Sequence, residues 1–327
     1  MKKALLTCKG MLPDSVVEII AKQLDLRTAP CAMNEKDFIK KLQGVNFHLM
    51  GGEEFYSAEV ANAATDLKDI YFIGMMPDTY RSTEAFEILS QRGIKIIPTG
   101  GGQAAVVRST LDIFYDEFLM TPLFSRNFKW VAGEPGGMKR LLRNLDLVVI
   151  GAGNIGREIL NGSYLDFGRS FYGGGRSKKE ELEKLGIHWV PDLKKAFMLG
   201  NIFSINLSYS AETHHLIKYE HLKMMRENSL LINSARAALI EPVGLLKFLR
   251  RRPDVLAILD VFYVEGKDYE KLGFRNLKDM QNIYAEIIAQ GNVLFLQHRF
   301  ASRHPELAVP EYGENLLRIL REQKIIT

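Results

Sequence analysis

The chain has 327 residues, 46% of them hydrophobic and 25% charged, with 43 Lys and Arg against 39 Asp and Glu for a formal charge of +4. This is the composition of a folded globular protein, and it excludes disorder, collagen and a small disulfide scaffold. The length exceeds what a single core usually serves, so two domains are expected.

The first apolar run, Ala4-Leu5-Leu6-Thr7, reads as a strand, and Pro13 with Asp14 opens a helix pattern that runs to Gln23. Met1, Lys2 and Lys3 before it resemble the start of a signal peptide, but Lys9 follows too soon for a secretory core. No window approaches the roughly 20 apolar residues of a membrane span, so a soluble, cytoplasmic protein is expected. Cys8 and Cys31 lack the number of a disulfide framework and the spacing of a zinc site, and both read as reduced, structural thiols.

Further strand-like runs are Phe47 to Met50, Ile70 to Ile73 and Ile94 to Ile97, with helical stretches such as Glu84 to Gln91 between them. Strands alternating with helices predict a parallel sheet. After Gly100-Gly101-Gly102 comes a long helix pattern, Ala104 to Leu119, and then a Gly- and Pro-bearing stretch, Thr121 to Gly137, that suggests a boundary and a protruding arm. A second alternating series runs through Leu147 to Ile150, Ser170 to Tyr172, Ile202 to Leu207, Leu230 to Ile232, Ala257 to Leu259 and Val293 to Leu296. The last helix, Glu311 to Glu322, comes too late for that series and suits packing back on the first domain. The fold class is therefore α/β, with two doubly wound parallel-sheet domains.

The pI near 8.8 is basic, but the densest cluster, Arg250 to Arg252, closes a predicted helix, where cations complement the helix dipole. No aromatic or Gly-rich module accompanies it, which argues against a nucleic-acid partner.

Leu147 to Ile150 lead directly into Gly151-Ala152-Gly153-Asn154-Ile155-Gly156, and a helix pattern follows. GxGxxG between a strand and a helix is a dinucleotide fingerprint: Gly151 for the tight turn, Gly153 for approach of a pyrophosphate, Gly156 for close helix-to-strand packing. Asn154, Ile155 and, after a later strand, Ser208 join the expected cofactor contacts. About 20 residues on, an NAD-binding protein places a carboxylate on the ribose; here the chain reads Gly173-Gly174-Gly175-Arg176-Ser177-Lys178-Lys179. With no carboxylate to repel a 2′-phosphate, Gly175, Arg176 and Ser177 favour NADP(H), NAD(H) remaining possible. The two lysines read otherwise as a solvated helix start.

Arg236, Glu265 and His298 stand at or just beyond apolar strands of the second series, where doubly wound folds bind ligands. Taken singly, each has a plain alternative: a surface cation, a solvated loop acid, a capped core histidine.

With the fingerprint, Ser210-Ala211-Glu212-Thr213 leading to Leu216-Ile217, Leu231 to Arg236, Leu259-Asp260-Val261-Phe262 with Glu265, and His298, the chain resembles the D-isomer-specific 2-hydroxyacid dehydrogenases over nearly its whole length. The resemblance is to the glyoxylate/hydroxypyruvate reductase type. It implies reduction of a 2-oxo acid to a D-2-hydroxy acid by hydride from a nicotinamide dinucleotide, which the residues after the second strand make NADPH. Arg236, from Asn233-Ser234-Ala235-Arg236, would hold the substrate carboxylate; Glu265 would pair with His298, the proton donor; Asp260 would sit near the nicotinamide. It further implies a flavodoxin-like substrate domain, residues 1–103 and 297–327, with a Rossmann cofactor domain, 104–296, inserted in it. A homodimer is implied too, with its arm at Trp130 and Gly133 to Gly137.

The departures lie around the substrate. Gln297 stands where the family has Pro, Ala237 where it has Gly, and the carboxylate-binding loop reads Gly74-Met75-Met76-Pro77-Asp78. Methionines suit an adaptable apolar pocket and hence a larger 2-oxo acid, although Met75 and Met76 read equally well as packing residues. His214 and His215 have no third ligand at metal spacing and read as surface residues, so no metal is expected. The alternative function is a dinucleotide-binding sensor or corepressor-like protein in which catalysis is incidental; no recognisable interaction tail supports it.

Overall fold

The structure, a computed structural model, describes residues 1–31, 33–51, 54–74, 81–116, 142–175, 177–261, 274, 276–296 and 299–327. These divide into two compact units: Met1–Ala104 with His304–Thr327, and the described residues from Ala105 to Arg303.

The first unit alternates β1 (Lys3–Thr7), α1 (Asp14–Ala21), β2 (Asp25–Ala29), α2 (Glu35–Leu42), β3 (Phe47–Met50), α3 (Ala58–Ala63), β4 (Asp69–Phe72), α4 (Thr83–Gln91) and β5 (Lys95–Pro98). All pairings are parallel, in the order β2-β1-β3-β4-β5. A parallel sheet must be covered on both faces, and successive strand residues point to opposite faces. Leu5 accordingly joins one core with Phe38, Val60, Ile70, Phe72 and Leu89. Leu6 joins the other with Val16, Ile20, Leu49, Tyr71, Leu316 and Leu320.

Leu316 and Leu320 belong to the last helix, which spans Pro305–Glu322 rather than starting at Glu311. The helix runs through Pro310. Pro305 occupies its first turn, where a missing amide costs nothing.

The reading of Cys8 and Cys31 as reduced thiols is overturned: the two are joined as a disulfide, with Cα atoms 4.4 Å apart. Their separation of 23 residues hid the pairing. Parallel alignment of β1 with β2 sets Thr7 opposite Ala29, so the residues following the two strands emerge side by side.

The second unit begins with α5 (Gln103–Tyr115), whose first two residues precede the boundary. It continues through β6 (Asp146–Ile150), α6 (Asn154–Ser163), β7 (Arg169–Gly173), α7 (Glu180–Glu183), β8 (His188–Val190), α8 (Leu193–Leu199), β9 (Ile202–Ile205), α9 (Tyr219–Leu222), β10 (Leu230–Asn233), α10 (Pro242–Arg251), β11 (Leu256–Leu259), α11 (Leu277–Ile288) and β12 (Val293–Phe295); the last helix of the first unit is α12. The seven strands are parallel in the order β12-β11-β10-β9-β6-β7-β8. Val148, Ile150, Phe203 and Phe248 share one core; Leu147, Val149, Ile159 and Ile258 share the other.

Arg250 and Arg251 lie in the last turn of α10. Arg252 follows, bound to Asp254 (2.7 and 2.9 Å) and to the carbonyls of Met225 and Arg226. His214 and His215 are not surface residues: both are half-buried and stacked, ring centroids 3.8 Å apart. The cause is the chain path, since the His215 amide donates to Ala238 O at 2.8 Å and Ile217 bridges to Ile240. Burial, then the neighbouring His214, lowers His215 to about 4. No helix among the described residues is long and apolar enough to cross a membrane.

Candidate functional site

The turn between β6 and α6 puts each glycine of the fingerprint under a different demand. Gly151 has φ +98°, and a Cβ there would lie 2.7 Å from Leu207 N. Its amide donates to Gly173 O at 2.8 Å, while Asn206 N donates to Ile150 O at 2.7 Å, so the turn is held from both neighbouring strands. A Cβ on Gly156 would collide with Gly151 O, which fixes how closely α6 rides on β6. Gly153 is the opposite case: it is exposed, and nothing lies within 4 Å of an added Cβ.

Helices α2, α3, α4, α8 and α11 are capped by the side chains of Asn34, Ser57, Ser82, Asp192 and Asn276. Helix α6 starts from Gly153 with no side-chain cap. Its first amides therefore have no protein acceptor from the cap, and they sit at the positive end of the helix dipole. An open glycine below uncapped amides fits the pyrophosphate of a dinucleotide. Asn154 is exposed and accepts from Arg157 at 3.1 Å; Ile155 packs its side chain into the core beneath.

At the end of β7, Gly175 is exposed and open to an added Cβ, and Ser177 is exposed. Arg176 lies outside the described residues. The lysines that follow are engaged: Lys178 pairs with Glu183 at 3.0 Å, and Lys179 donates to Ser177 Oγ at 3.3 Å. Ser208, in the loop after β9, is exposed, and its carbonyl accepts from Thr213 Oγ1 at 2.9 Å.

The ends of β10 and β11 carry a hydrogen-bonded frame. Asn233 closes β10; its side chain accepts from Ala235 N (3.2 Å) and donates to Arg236 O (3.1 Å). An Asn that bonds its own following backbone imposes a turn, and this turn presents Arg236, half-buried, with Nη1 donating to Ala235 O at 2.6 Å. Asn233 O in turn accepts from Asp260 N at 3.0 Å. The carboxylate of Asp260, 1% exposed, accepts from Arg299 N (2.7 Å) and Phe300 N (3.2 Å).

The frame thus joins Arg236 to the backbone that directly follows position 298. In the sequence Asn233 stands only as the start of the Asn233-Ser234-Ala235-Arg236 signature, without its turn-forming role, and the amides of Arg299 and Phe300 carry no sequence signal. Glu265 and His298 lie outside the described residues, as do Met75, Met76, Gln297, Trp130 and the Gly133 to Gly137 stretch. In the first unit, Gly74 follows β4 with φ +150°, and its carbonyl accepts from Gly100 N at 2.9 Å. Among the described residues no cluster of His, Cys, Asp and Glu could hold a metal ion.

Comparison with known proteins identifies the family and the fold. The family model for the NAD binding domain of D-isomer specific 2-hydroxyacid dehydrogenases matches residues 121–295. The chain is 35% identical to a glyoxylate reductase of Aeropyrum pernix over 139 residues, 42% of this chain and 41% of that protein. It is 25% identical to a glyoxylate reductase of Thermococcus litoralis over 276 residues, 80% of this chain and 81% of that protein. Among solved structures, the apo form of a D-lactate dehydrogenase from Escherichia coli has a TM-score of 0.70 at 16% identity, covering 100% of this chain and 98% of that one, a likeness of fold.

Proposed function

The chain belongs to the D-isomer specific 2-hydroxyacid dehydrogenases, a family of NAD(P)-binding oxidoreductases, and from that premise we propose that it reduces a 2-oxo acid to a D-2-hydroxy acid with NADPH as the preferred cofactor. The dinucleotide, when bound, supplies the hydride. The uncapped start of α6 with Gly153, Asn154, Ile155 and the flanking Gly151 and Gly156 would hold its pyrophosphate. Gly175, Arg176 and Ser177 would receive the 2′-phosphate, where no carboxylate stands to repel it. Ser208 completes the cofactor contacts.

Arg236 offers a planar fork of donors to the substrate carboxylate and to the oxygen that gains charge. His298 donates the proton to that oxygen, and Glu265 favours its charged form. Gly74, Met75 and Met76 would line the substrate side, and the methionines favour an acid with a larger apolar side chain. The reading includes residues 1–103 and 297–327 as the substrate domain, 104–296 as the cofactor domain, and a cytoplasmic homodimer. Similarity to proteins named glyoxylate reductase and hydroxypyruvate reductase supports the reaction class.

The observation that carries the proposal is the frame Asn233–Arg236–Asp260–Arg299. It sets a cation at one end of a buried polar network and the backbone adjoining His298 at the other. The experiment is oxidation of NADPH and NADH across 2-oxo acids graded in size, with Arg236→Ala as the control. NADPH consumption that favours larger apolar acids and falls by about 10³-fold or more in the control is expected from loss of an interaction at the developing charge. Tight dinucleotide binding without turnover on any acid overturns the reductase reading in favour of the sensor or corepressor-like one.

A further inference from the structure

Cys8 and Cys31 are placed where a covalent change reaches a candidate ligand edge. The five-stranded order β2-β1-β3-β4-β5 reverses direction between β1 and β3, and doubly wound sheets bind ligands beyond the carboxyl ends of strands at such a switch point. Cys8 is the first residue after β1 and Cys31 follows β2.

Three observations couple Cys8 to the chain that leaves β3. A Cβ on Gly51 would collide with Cys8 Cβ and lie 2.9 Å from Thr7 O, so the two strand ends touch backbone to side chain. The Gly51 amide donates to Thr7 Oγ1 at 3.1 Å, which also lies 3.2 Å from His48 Nε2; His48 Nδ1 meets Tyr56 OH at 2.8 Å. Cys8 itself holds φ +54°, a left-handed conformation that a non-glycine residue adopts only when its surroundings impose it.

We propose that Cys8–Cys31 is a thiol–disulfide exchange site, open to low-molecular-weight thiols and disulfides, whose oxidised form orders the residues after β3. Cys8 is 4% exposed while Cys31 is half-buried, so Cys31 is the more accessible of the two residues and the one taken to be attacked. A small thiolate attacks Cys31 Sγ; the protein S–S bond breaks, and Cys8 leaves as a thiolate that takes up a proton. A second small thiolate attacks the mixed disulfide, forming the small-molecule disulfide and releasing Cys31 as a thiolate, which is protonated in turn. Two thiols are oxidised and one protein disulfide is reduced; glutathione disulfide drives the reverse. In a reducing compartment, which the sequence suggests, disulfides are mostly transient, catalytic or redox-sensing. Once the bond opens, nothing covalent keeps Cys8 left-handed over Gly51, and the contacts through Thr7, His48 and Tyr56 loosen.

The test uses the full chain equilibrated with glutathione disulfide or with dithiothreitol, then denatured and alkylated. Intact mass should show no label in the first state and two in the second. Amide exchange over residues 54–61 should rise at least tenfold on reduction, with residues 146–160 unchanged. The Cys8→Ser/Cys31→Ser double variant should exchange like the reduced wild type in either buffer; if it does not fold, the wild-type pair of states decides. Two labels in the oxidising state, or equal exchange over 54–61 in both states, overturns the proposal. A further arm rests on the reductase reading: KM for an accepted 2-oxo acid should rise several-fold on reduction while the dissociation constant of NADPH stays fixed. Absence of turnover in both states would count against that reading, while labelling and exchange still decide the redox site.

Discussion

The carboxylate of Asp260, at the end of β11, accepts hydrogen bonds from the backbone amides of Arg299 at 2.7 Å and of Phe300 at 3.2 Å. The family resemblance implies a place for this aspartate near the nicotinamide; its observed partners are the two amides that follow position 298. A buried carboxylate receiving amide donors stores much of its worth in the bonds it would leave unmade.

Asp260→Asn therefore turns one acceptor into a donor facing an amide N–H. We expect a loss of about 2 kcal/mol in urea unfolding. If the same bonds set the backbone beside His298, the proposed proton donor, kcat should fall more than KM changes. An unfolding midpoint equal to wild type would show that the amides find other acceptors.

Gly153 and Gly156 should separate binding from folding. Gly156→Ala drives a methyl into Gly151 O and forces α6 off β6; a cost of about 1–3 kcal/mol, typical of overpacking, is expected, with binding lost as well. Gly153→Ala meets open space, so its thermal unfolding should match wild type while nicotinamide fluorescence titration shows weaker binding. Unchanged affinity in Gly153→Ala would place the pyrophosphate elsewhere.

His48 gives the first unit an acid sensitivity of defined sign. It is fully enclosed, and burial lowers it to about 3, against about 6.5 in an unfolded chain. Above pH 6.5 both states are neutral there. Below it the unfolded state takes up a proton that the folded state refuses until pH 3. Stability should thus drop by about 2 kcal/mol between pH 6.5 and 5 from this group. The slope should be smaller in His48→Gln, which removes the titration while keeping a polar partner for Tyr56. Parallel pH profiles for the two proteins would contradict the assignment.

Much of the fold is legible where the requirement on a residue is local. Central strands such as β1, β3, β6 and β10 are apolar runs because both of their faces are covered. The two strands without an apolar run, Asp25–Ala29 and His188–Val190, are β2 and β8, each at one edge of its sheet. An outer strand has one paired neighbour and can expose polar side chains, so Asp25, Arg27 and Thr28 carry no apolar signal. The cofactor turn is legible for the same reason: a left-handed φ, an open approach and a close helix contact each demand glycine at a fixed spacing.

What tertiary structure decided are the partnerships between residues far apart in the chain. Asp260 bonds Arg299 across 39 positions, and Cys8 joins Cys31 across 23. Neither is written in a local pattern, because parallel sheet order, not sequence distance, determines which strand ends meet. The residues that make a dinucleotide fold are thus set by the sequence through backbone sterics and strand burial. Which carboxylate clamps which backbone, and that two cysteines form a bond, follow only once β11 lies beside β12 and β1 beside β2.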